Sequence, residues 1–354
     1  GHQAVRHIPK VLYHWRIIPG STAAGGGEKP YAFLAAMRVV KEHLERQNIR
    51  AEVDEAVEGM SMMRVKYALP DVLPLVSIII PTRNGKQLVQ QCIDSITEKT
   101  TYPNYEIILV DNGSDDADAL AYFTGLDQRD NITVLRDDRP FNYSALNNEA
   151  VNVARGELVC LLNNDIEVIT PDWLDEMVSH AVRPGIGAVG ARLWYANDTL
   201  QHGGVILGMG GVAGHVHLGI TRDNPGYFGR AWLVQNYSAV TAACLLIRKE
   251  IYKEVGGLEE ENLTVAFNDV DFCIRVRNAG YRNLWTPFAE LYHHESATRG
   301  NDLAPEKIER FKREIAYMEN TYQHELTCDP AFNPNFTLMN NHFALAFPPR
   351  NPAE

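Results

Sequence analysis

Gly156-Glu157-Leu158-Val159-Cys160-Leu161-Leu162-Asn163-Asn164-Asp165-Ile166-Glu167-Val168 decides the fold. It opens on a turn residue, runs through a continuous apolar segment from Leu158 to Leu162, and ends in two amides and a carboxylate. A short apolar run bounded by Gly reads as a strand buried on both faces, the kind found in parallel sheets covered by helices. Polar residues at the carboxyl end of such a strand lie where open α/β sheets put their ligands. Asp165 is therefore a candidate for meeting a metal–phosphate group. The plainer reading makes it a cap for the following turn.

The flanking sequence repeats the pattern. Val76-Ser77-Ile78-Ile79-Ile80 is a β-branched run and reads as a buried strand, closed by the turn Pro81-Thr82-Arg83-Asn84-Gly85. Gln87 to Lys99 has Leu88, Cys92 and Ile96 in helical phase. Tyr105 to Val110 reads as a second strand ending in Asp111-Asn112-Gly113-Ser114-Asp115-Asp116. A helix over 117–126, a strand over 132–135 and a helix over 143–155 lead into the quoted stretch, and Pro171 opens a further helix to Val182. This alternation predicts an α/β domain, a doubly wound and mainly parallel sheet with helices on both faces.

Beyond Gly185 the alternation weakens. Ile186 to Trp194 and Thr241 to Ile247 read as strands, and 202–219 is rich in Gly and His. Phe267 to Ala279 is a helix with Asn268, Asp269 and Asp271 in its first turn. Arg282 to Trp285 and Leu291 to His293 read as two short strands, and Pro305 to Tyr322 as a long amphipathic helix. The segment 195–240 is expected to form a smaller acceptor-side subregion. Toward the amino end, Ile8 to Trp15 reads as a short strand, 19–29 as a Gly-rich loop and Tyr31 to Gln47 as a helix with Phe33, Met37, Val40 and Leu44 on one face. The boundaries follow: an α-rich N-terminal extension over 1–70, the α/β domain over 71–325, and a Pro- and Asn-rich strap over 326–354.

Composition excludes several classes. The 354 residues carry a formal net charge of −12, which disfavours nucleic acid and anionic lipid as general partners. No apolar run approaches the roughly 18 residues of a membrane span. The amino end shows no charged-then-apolar leader. The five cysteines, Cys92, Cys160, Cys244, Cys273 and Cys328, have no C-x-x-C spacing, and four lie in apolar patterns. They read as buried thiols of a reducing compartment. The expected location is cytoplasmic, with peripheral contact at the inner membrane face left open.

The chemistry sits at strand ends. Pro81-Thr82-Arg83-Asn84, Asp111 to Asp116, Asn163-Asn164-Asp165, Asn268-Asp269-Val270-Asp271 and His293-His294-Glu295-Ser296 with Arg299 would converge on one edge of a parallel sheet. No G-x-G-x-x-G, P-loop or G-x-S-x-G motif is present, so dinucleotide, P-loop and hydrolase-elbow chemistry are excluded. Carboxylates with His suit a divalent cation, and such a cation suits a diphosphate. A sugar nucleotide offers a diphosphate as leaving group, and a separate carboxylate must then take the proton of the attacking hydroxyl.

Taken in order, Ser77 to Asn84, Val110-Asp111-Asn112-Gly113-Ser114, Phe141 to Asn148, Leu162 to Asp165, Phe267 to Cys273 and His293 to Ser296 resemble family 2 glycosyltransferases of the GT-A fold, over residues 75–325. Within that family they resemble bacterial O-antigen and surface-polysaccharide enzymes, rhamnosyltransferase-like members included. The resemblance implies roles. Asp111 would meet the nucleotide, with Pro81, Thr82 and Asn84 lining the same pocket and Asn147 and Arg155 assisting. Asp165 matches the last acid of the family's D-x-D, with Asn163 and Asn164 departing from it beside the donor. His293, or alternatively His294, would be the second metal ligand, and Arg299 would grip the diphosphate. Asp269 would be the catalytic base of an inverting reaction, with Asp271 in support. The implied cofactors are Mn2+ or Mg2+ and a UDP-, dTDP- or GDP-sugar. The implied acceptor is an oligosaccharide or lipid-linked saccharide, and further transferase domains of the same polypeptide are possible partners. His7 to Arg16 resembles the end of another such domain, so residues 1–70 are either the tail of a preceding module or a private extension. His202, His215 and His217 are either acceptor-side groups or ordinary loop histidines. Two other readings stand beside the enzyme. One is a non-catalytic nucleotide-binding scaffold, supported by Asn163-Asn164. The other is a nucleotidyltransferase, for which Arg83-Asn84-Gly85-Lys86 is a poor loop.

Overall fold

A computed structural model describes residues 8–18, 30–294 and 307–350. The amino-terminal half of the α/β domain follows the predicted alternation. To number it from the start, α1 (Pro30–Arg46) is followed by β1 (Ala51–Glu55), β2 (Met63–Tyr67), β3 (Val76–Thr82), α2 (Lys86–Lys99), β4 (Tyr105–Asp111), α3 (Ala117–Leu126), β5 (Ile132–Arg136), α4 (Tyr143–Val153) and β6 (Leu158–Leu162). Strands β6, β3, β4 and β5 lie side by side and parallel. Every residue of β3 and β6 is buried, as continuous apolar runs demand.

Side-chain alternation divides the core into two layers. Val76, Ile78, Ile80, Cys160 and Leu162 belong to the layer with α2 and α3, whereas Ile79, Val159 and Leu161 belong to the layer with α4. Entry into β6 needs the glycine. A Cβ at Gly156 would lie 2.6 Å from Ser77 Oγ and 2.7 Å from the Leu75 carbonyl oxygen, distances no real side chain tolerates.

The second half adds β7 (Ile166–Val168), α5 (Trp173–Ala181), β8 (Ile186–Trp194), β9 (Leu200–His202), β10 (Val205–Leu207), β11 (Ala213–His215), β12 (Gln235–Asn236), β13 (Cys244–Arg248), α6 (Lys249–Glu254), α7 (Asn268–Asn278), β14 (Arg282–His293), α8 (Ile308–Thr321) and α9 (Gln323–Thr327). Among the described residues the main sheet runs β12-β14-β8-β13-β6-β3-β4-β5, with β7 on β14 and β9 on β8. Strand β13 is antiparallel to both of its neighbours, and β14 is parallel to β8. Two strands expected on either side of Pro287 are in fact one. The register of β14 slips between Trp285 and Glu290, so the ladder passes the residue that lacks an N–H. Antiparallel pairing of β7 with β14 sets Ile166 opposite His293.

The strand expected over 8–15 does not form, and these residues run largely exposed. By contrast the weakly patterned stretch after α1, residues 49–67, holds the β1–β2 hairpin. Helix α1 turns Phe33, Met37, Val40 and Leu44 inward as its phase predicts. At the other end the strap packs Phe332 and Phe343 into the core layer of α4. Its Asp329 carboxylate accepts from Ser238 Oγ at 2.5 Å and from the Leu207 and Ala331 N–H groups at 2.7 Å.

One buried cluster ties the hairpin to the domain. Glu176 on α5 accepts from Arg64 of β2 at 2.8 Å, Thr286 Oγ1 at 2.7 Å and His180 at 3.1 Å. Arg64 also lies 3.7 Å over the Phe288 ring. Burial alone would raise the Glu176 carboxyl, but His180, Arg64 and Thr286 together hold it at about 2, against an ordinary 4.5. The sign follows from the depressed value: stability from this group is complete above the ordinary glutamate range and is lost as pH falls through about 2. Glu176→Gln should destabilise the fold by about 3 kcal/mol at neutral pH, by leaving Arg64 and His180 without their anion. It should also flatten the acid limb of stability, as read by urea unfolding between pH 7 and pH 3. An unchanged midpoint at neutral pH would remove the cluster from the stabilising contacts.

Candidate active site

The carboxyl ends of β3, β4 and β6, the turn before β7, the end of β14 and the start of α7 meet at one edge. A cavity of about 660 Å³ opens there, lined by Tyr143, Asn163, the loop 210–213, Thr241 to Ala243, Phe267, Asn268, Asp269, Phe311, Ile315 and Glu319. Asp269 stands in the first turn of α7, where the helix dipole favours a carboxylate. Its Oδ2 accepts from the Ala242 N–H at 3.0 Å and its Oδ1 from the Val270 N–H at 2.8 Å. Phe267, just before the helix, takes φ 60 and ψ 5, a left-handed conformation rare for a bulky residue. Its ring stacks on Phe311 with centroids 5.6 Å apart.

A polar chain leads from Asp269 across the cavity. Ala242, whose N–H reaches Asp269, accepts at its carbonyl from Tyr143 Oη at 3.1 Å, and the same hydroxyl lies 3.4 Å from Asn163 Oδ1. Asn163 Nδ2 lies 3.2 Å from His293 Nε2, and that nitrogen is 3.1 Å from Asp165 Oδ1. The imidazole's other nitrogen meets Gln201 Oε1 at 2.7 Å. With an amide oxygen as partner, Nδ1 carries the proton and Nε2 presents a lone pair. Asp165 Oδ1 is buried with no hydrogen bond of its own despite its nearness to the ring. An unpartnered carboxylate oxygen and, 3.1 Å from it, an imidazole nitrogen whose lone pair meets the Asn163 amide form a donor set for a divalent cation. The residues fit such an ion, with substrate oxygens and water needed to complete its shell. Among the described residues no group of three His, Cys, Asp or Glu side chains forms a metal cage.

His294 is turned elsewhere, to Glu167 Oε2 at 3.1 Å, while its backbone N–H donates to the Asp165 carbonyl. Arg299, with Glu295 and Ser296, lies outside the described residues. Asp271 is buried, bound by Arg275 at 2.6 Å and by Tyr322 Oη at 2.6 Å, so it fixes α7 rather than facing the cavity.

At the carboxyl ends of β3 and β4, Asn164 Nδ2 donates to Thr82 Oγ1 at 2.9 Å beside the buried Pro81. Asp111 is buried, accepting from the Ser114 N–H at 3.0 Å and from Arg136 Nη1 at 2.6 Å. Asn84 adopts φ 55 and acts as a clasp, its Oδ1 accepting from the N–H groups of Asp115 and Asp116. Two expected contributors lie elsewhere. Asn147 is fully buried and donates to the Tyr143 carbonyl within α4. Arg155 pairs with Glu106 at the amino ends of the strands, away from the site. His202 is fully buried; burial, then the neighbouring His215 and His293, hold its imidazole well below the ordinary value. Arg136, Tyr143 and Gln201 escaped the sequence reading. Only Arg136 carried a usable signal, since parallel register makes it the partner of Asp111.

Residues 77–256 match the family model described as Glycosyl transferase family 2. The chain belongs to that family. The chain is 52% identical over 346 residues to uncharacterized protein y4gI of Sinorhizobium fredii, covering 97% of this chain and 38% of that protein. It is 37% identical over 339 residues to the O-antigen biosynthesis protein RfbC of Myxococcus xanthus, covering 95% of this chain and 26% of RfbC. The chain therefore spans well under half the length of either relative. A solved structure of GalNAc-T7 with UDP, GalNAc and Mn2+ superposes with a TM-score of 0.54 at 14% identity, over 71% of this chain and 52% of that one. This likeness shows the glycosyltransferase α/β fold. Among the described residues of this family 2 transferase, no helix is long and apolar enough to cross a membrane.

Proposed function

We propose that this transferase moves a sugar, with inversion, from a nucleoside-diphosphate sugar to a saccharide or lipid-linked saccharide acceptor during assembly of a bacterial surface polysaccharide. The observation that carries the reading is the arrangement of Asp269 on the wall of an open cavity, joined through Tyr143 and Asn163 to the Asp165–His293 pair. Asp269 takes the proton of the attacking acceptor hydroxyl. A single base facing the departing group suits direct displacement. Thr82 and Asp111 hold the nucleotide over the ends of β3 and β4. A divalent cation held by Asp165 and His293, Mn2+ or Mg2+, supplies charge to offset that growing on the diphosphate. RfbC, an O-antigen biosynthesis protein by name, supports the polysaccharide setting. The reaction is assigned to the cytoplasm, where nucleotide sugars are made.

Thermal unfolding against UDP, dTDP, GDP and CMP, each with and without Mn2+, tests the reading. One nucleoside diphosphate should raise the unfolding temperature only when Mn2+ is present. A ligand at 100 times its Kd adds about 2.7 kcal/mol to the folded state. Silence from every nucleotide would overturn donor binding and favour a non-catalytic scaffold.

A further inference from the structure

Gln201 is a residue that no motif in the sequence marks. It lies on β9, a strand of three residues, and only 3% of its surface is exposed. Antiparallel pairing sets His202 opposite Leu193 and Leu200 opposite Trp194, while parallel pairing sets Trp194 opposite Tyr292. That double registration delivers the Gln201 side chain to His293, with Oε1 at 2.7 Å from Nδ1. Its backbone carbonyl is occupied separately, accepting from His215 Nδ1 at 2.8 Å.

We propose that Gln201 is a positioning residue for the cation site, acting by accepting the Nδ1 proton of His293 and so fixing the tautomer that turns the Nε2 lone pair toward Asp165. The inference rests on the reading of Asp165 and His293 as cation ligands. Imidazole ligands are commonly oriented in this way, through an acceptor on the nitrogen that does not bind, and losing that acceptor typically lowers metal affinity about 10–100-fold. The nearby ring of His202 has no such acceptor to offer. Its Nε2 lies 3.4 Å from the Thr241 N–H and its Nδ1 is buried without a partner.

The discriminating pair of variants is Gln201→Leu and Gln201→Glu. If Gln201 acts as an acceptor, Glu keeps that function and Leu loses it. If Gln201 merely fills space in the core, Leu is the milder change, because Glu buries a charge. The readout is the rise in unfolding temperature that Mn2+ adds on top of saturating UDP, dTDP or GDP, titrated to an apparent Mn2+ affinity, with the unliganded unfolding temperature of each variant as control. Asp165→Ala is included in the same series. The expected result is an affinity about 10–100-fold weaker in Gln201→Leu, near wild type in Gln201→Glu, and lost in Asp165→Ala. Loss in Asp165→Ala with wild-type affinity in Gln201→Leu would overturn the role of Gln201 and leave the cation site standing. A Gln201→Glu variant that binds Mn2+ more weakly than Gln201→Leu would overturn that role as well. A Mn2+ effect that survives Asp165→Ala, or is missing from the wild-type protein, would sink the site and this proposal together.

Discussion

Substituting Asp269→Asn is expected to lower kcat by about 10²–10⁴-fold, the range that a positioned general base contributes, while nucleotide affinity stays within a factor of about two. Asparagine keeps the size and one acceptor oxygen, so the Val270 N–H or the Ala242 N–H retains a partner. The cost to folding should be about 1 kcal/mol, that of one hydrogen bond at a helix start. Asn cannot take a proton from a hydroxyl, and no other carboxylate among the cavity-lining residues stands in the same turn of helix. Single-turnover transfer and nucleotide titration on the same preparation separate the two effects. Turnover near that of the wild type would move the base elsewhere, with Glu319, which also lines the cavity, the next candidate.

Asp165→Ala should produce the second large effect. It takes away the buried carboxylate oxygen that has no hydrogen bond, and leaves His293 facing an empty wall. Transfer should fall by about 10³-fold, since a cation on a departing diphosphate is worth several kcal/mol. Nucleotide binding should become indifferent to Mn2+. The fold itself should lose little, because Asp165 accepts no side-chain hydrogen bond that packing depends on. An intact Mn2+ dependence in this variant would put the ion at another group.

Much of this was legible along the chain, and the reason is local. In β3, β4 and β6 the apolar residues are consecutive, so strand, burial and carboxyl end can be read without knowing the partners. Thr82, Asp111 and Asp165 stand at or just past those ends, and Asp269 is read from the acidic first turn of α7. What escaped depends on pairings between distant segments. Gln201 reaches His293 through two registrations, and neither is encoded in the three residues of β9. The β1–β2 hairpin alternates half-buried and exposed residues around Glu52 and Asp54, a pattern too polar to announce itself. The sequence suggests two strands where β14 runs as one, because the register slip that carries the ladder past Pro287 is not visible in sequence. Asn84 and Asn147 carry the right chemistry for ligand contact, yet the Asn84 amide is spent on the Asp115 carboxylate and the Asp115 and Asp116 N–H groups, and the Asn147 amide nitrogen on the Tyr143 carbonyl.

The fastening of the hairpin also bears on how the chain should be cut for laboratory work. A fragment trimmed to the family match would begin at residue 77 and discard Arg64. Glu176 would then keep His180 and Thr286 but lose its guanidinium, and the Phe288 ring would lose the cation that covers it. The shortest piece worth expressing therefore starts ahead of Ala51. Two strands outside the family match decide whether the family 2 domain can be handled alone.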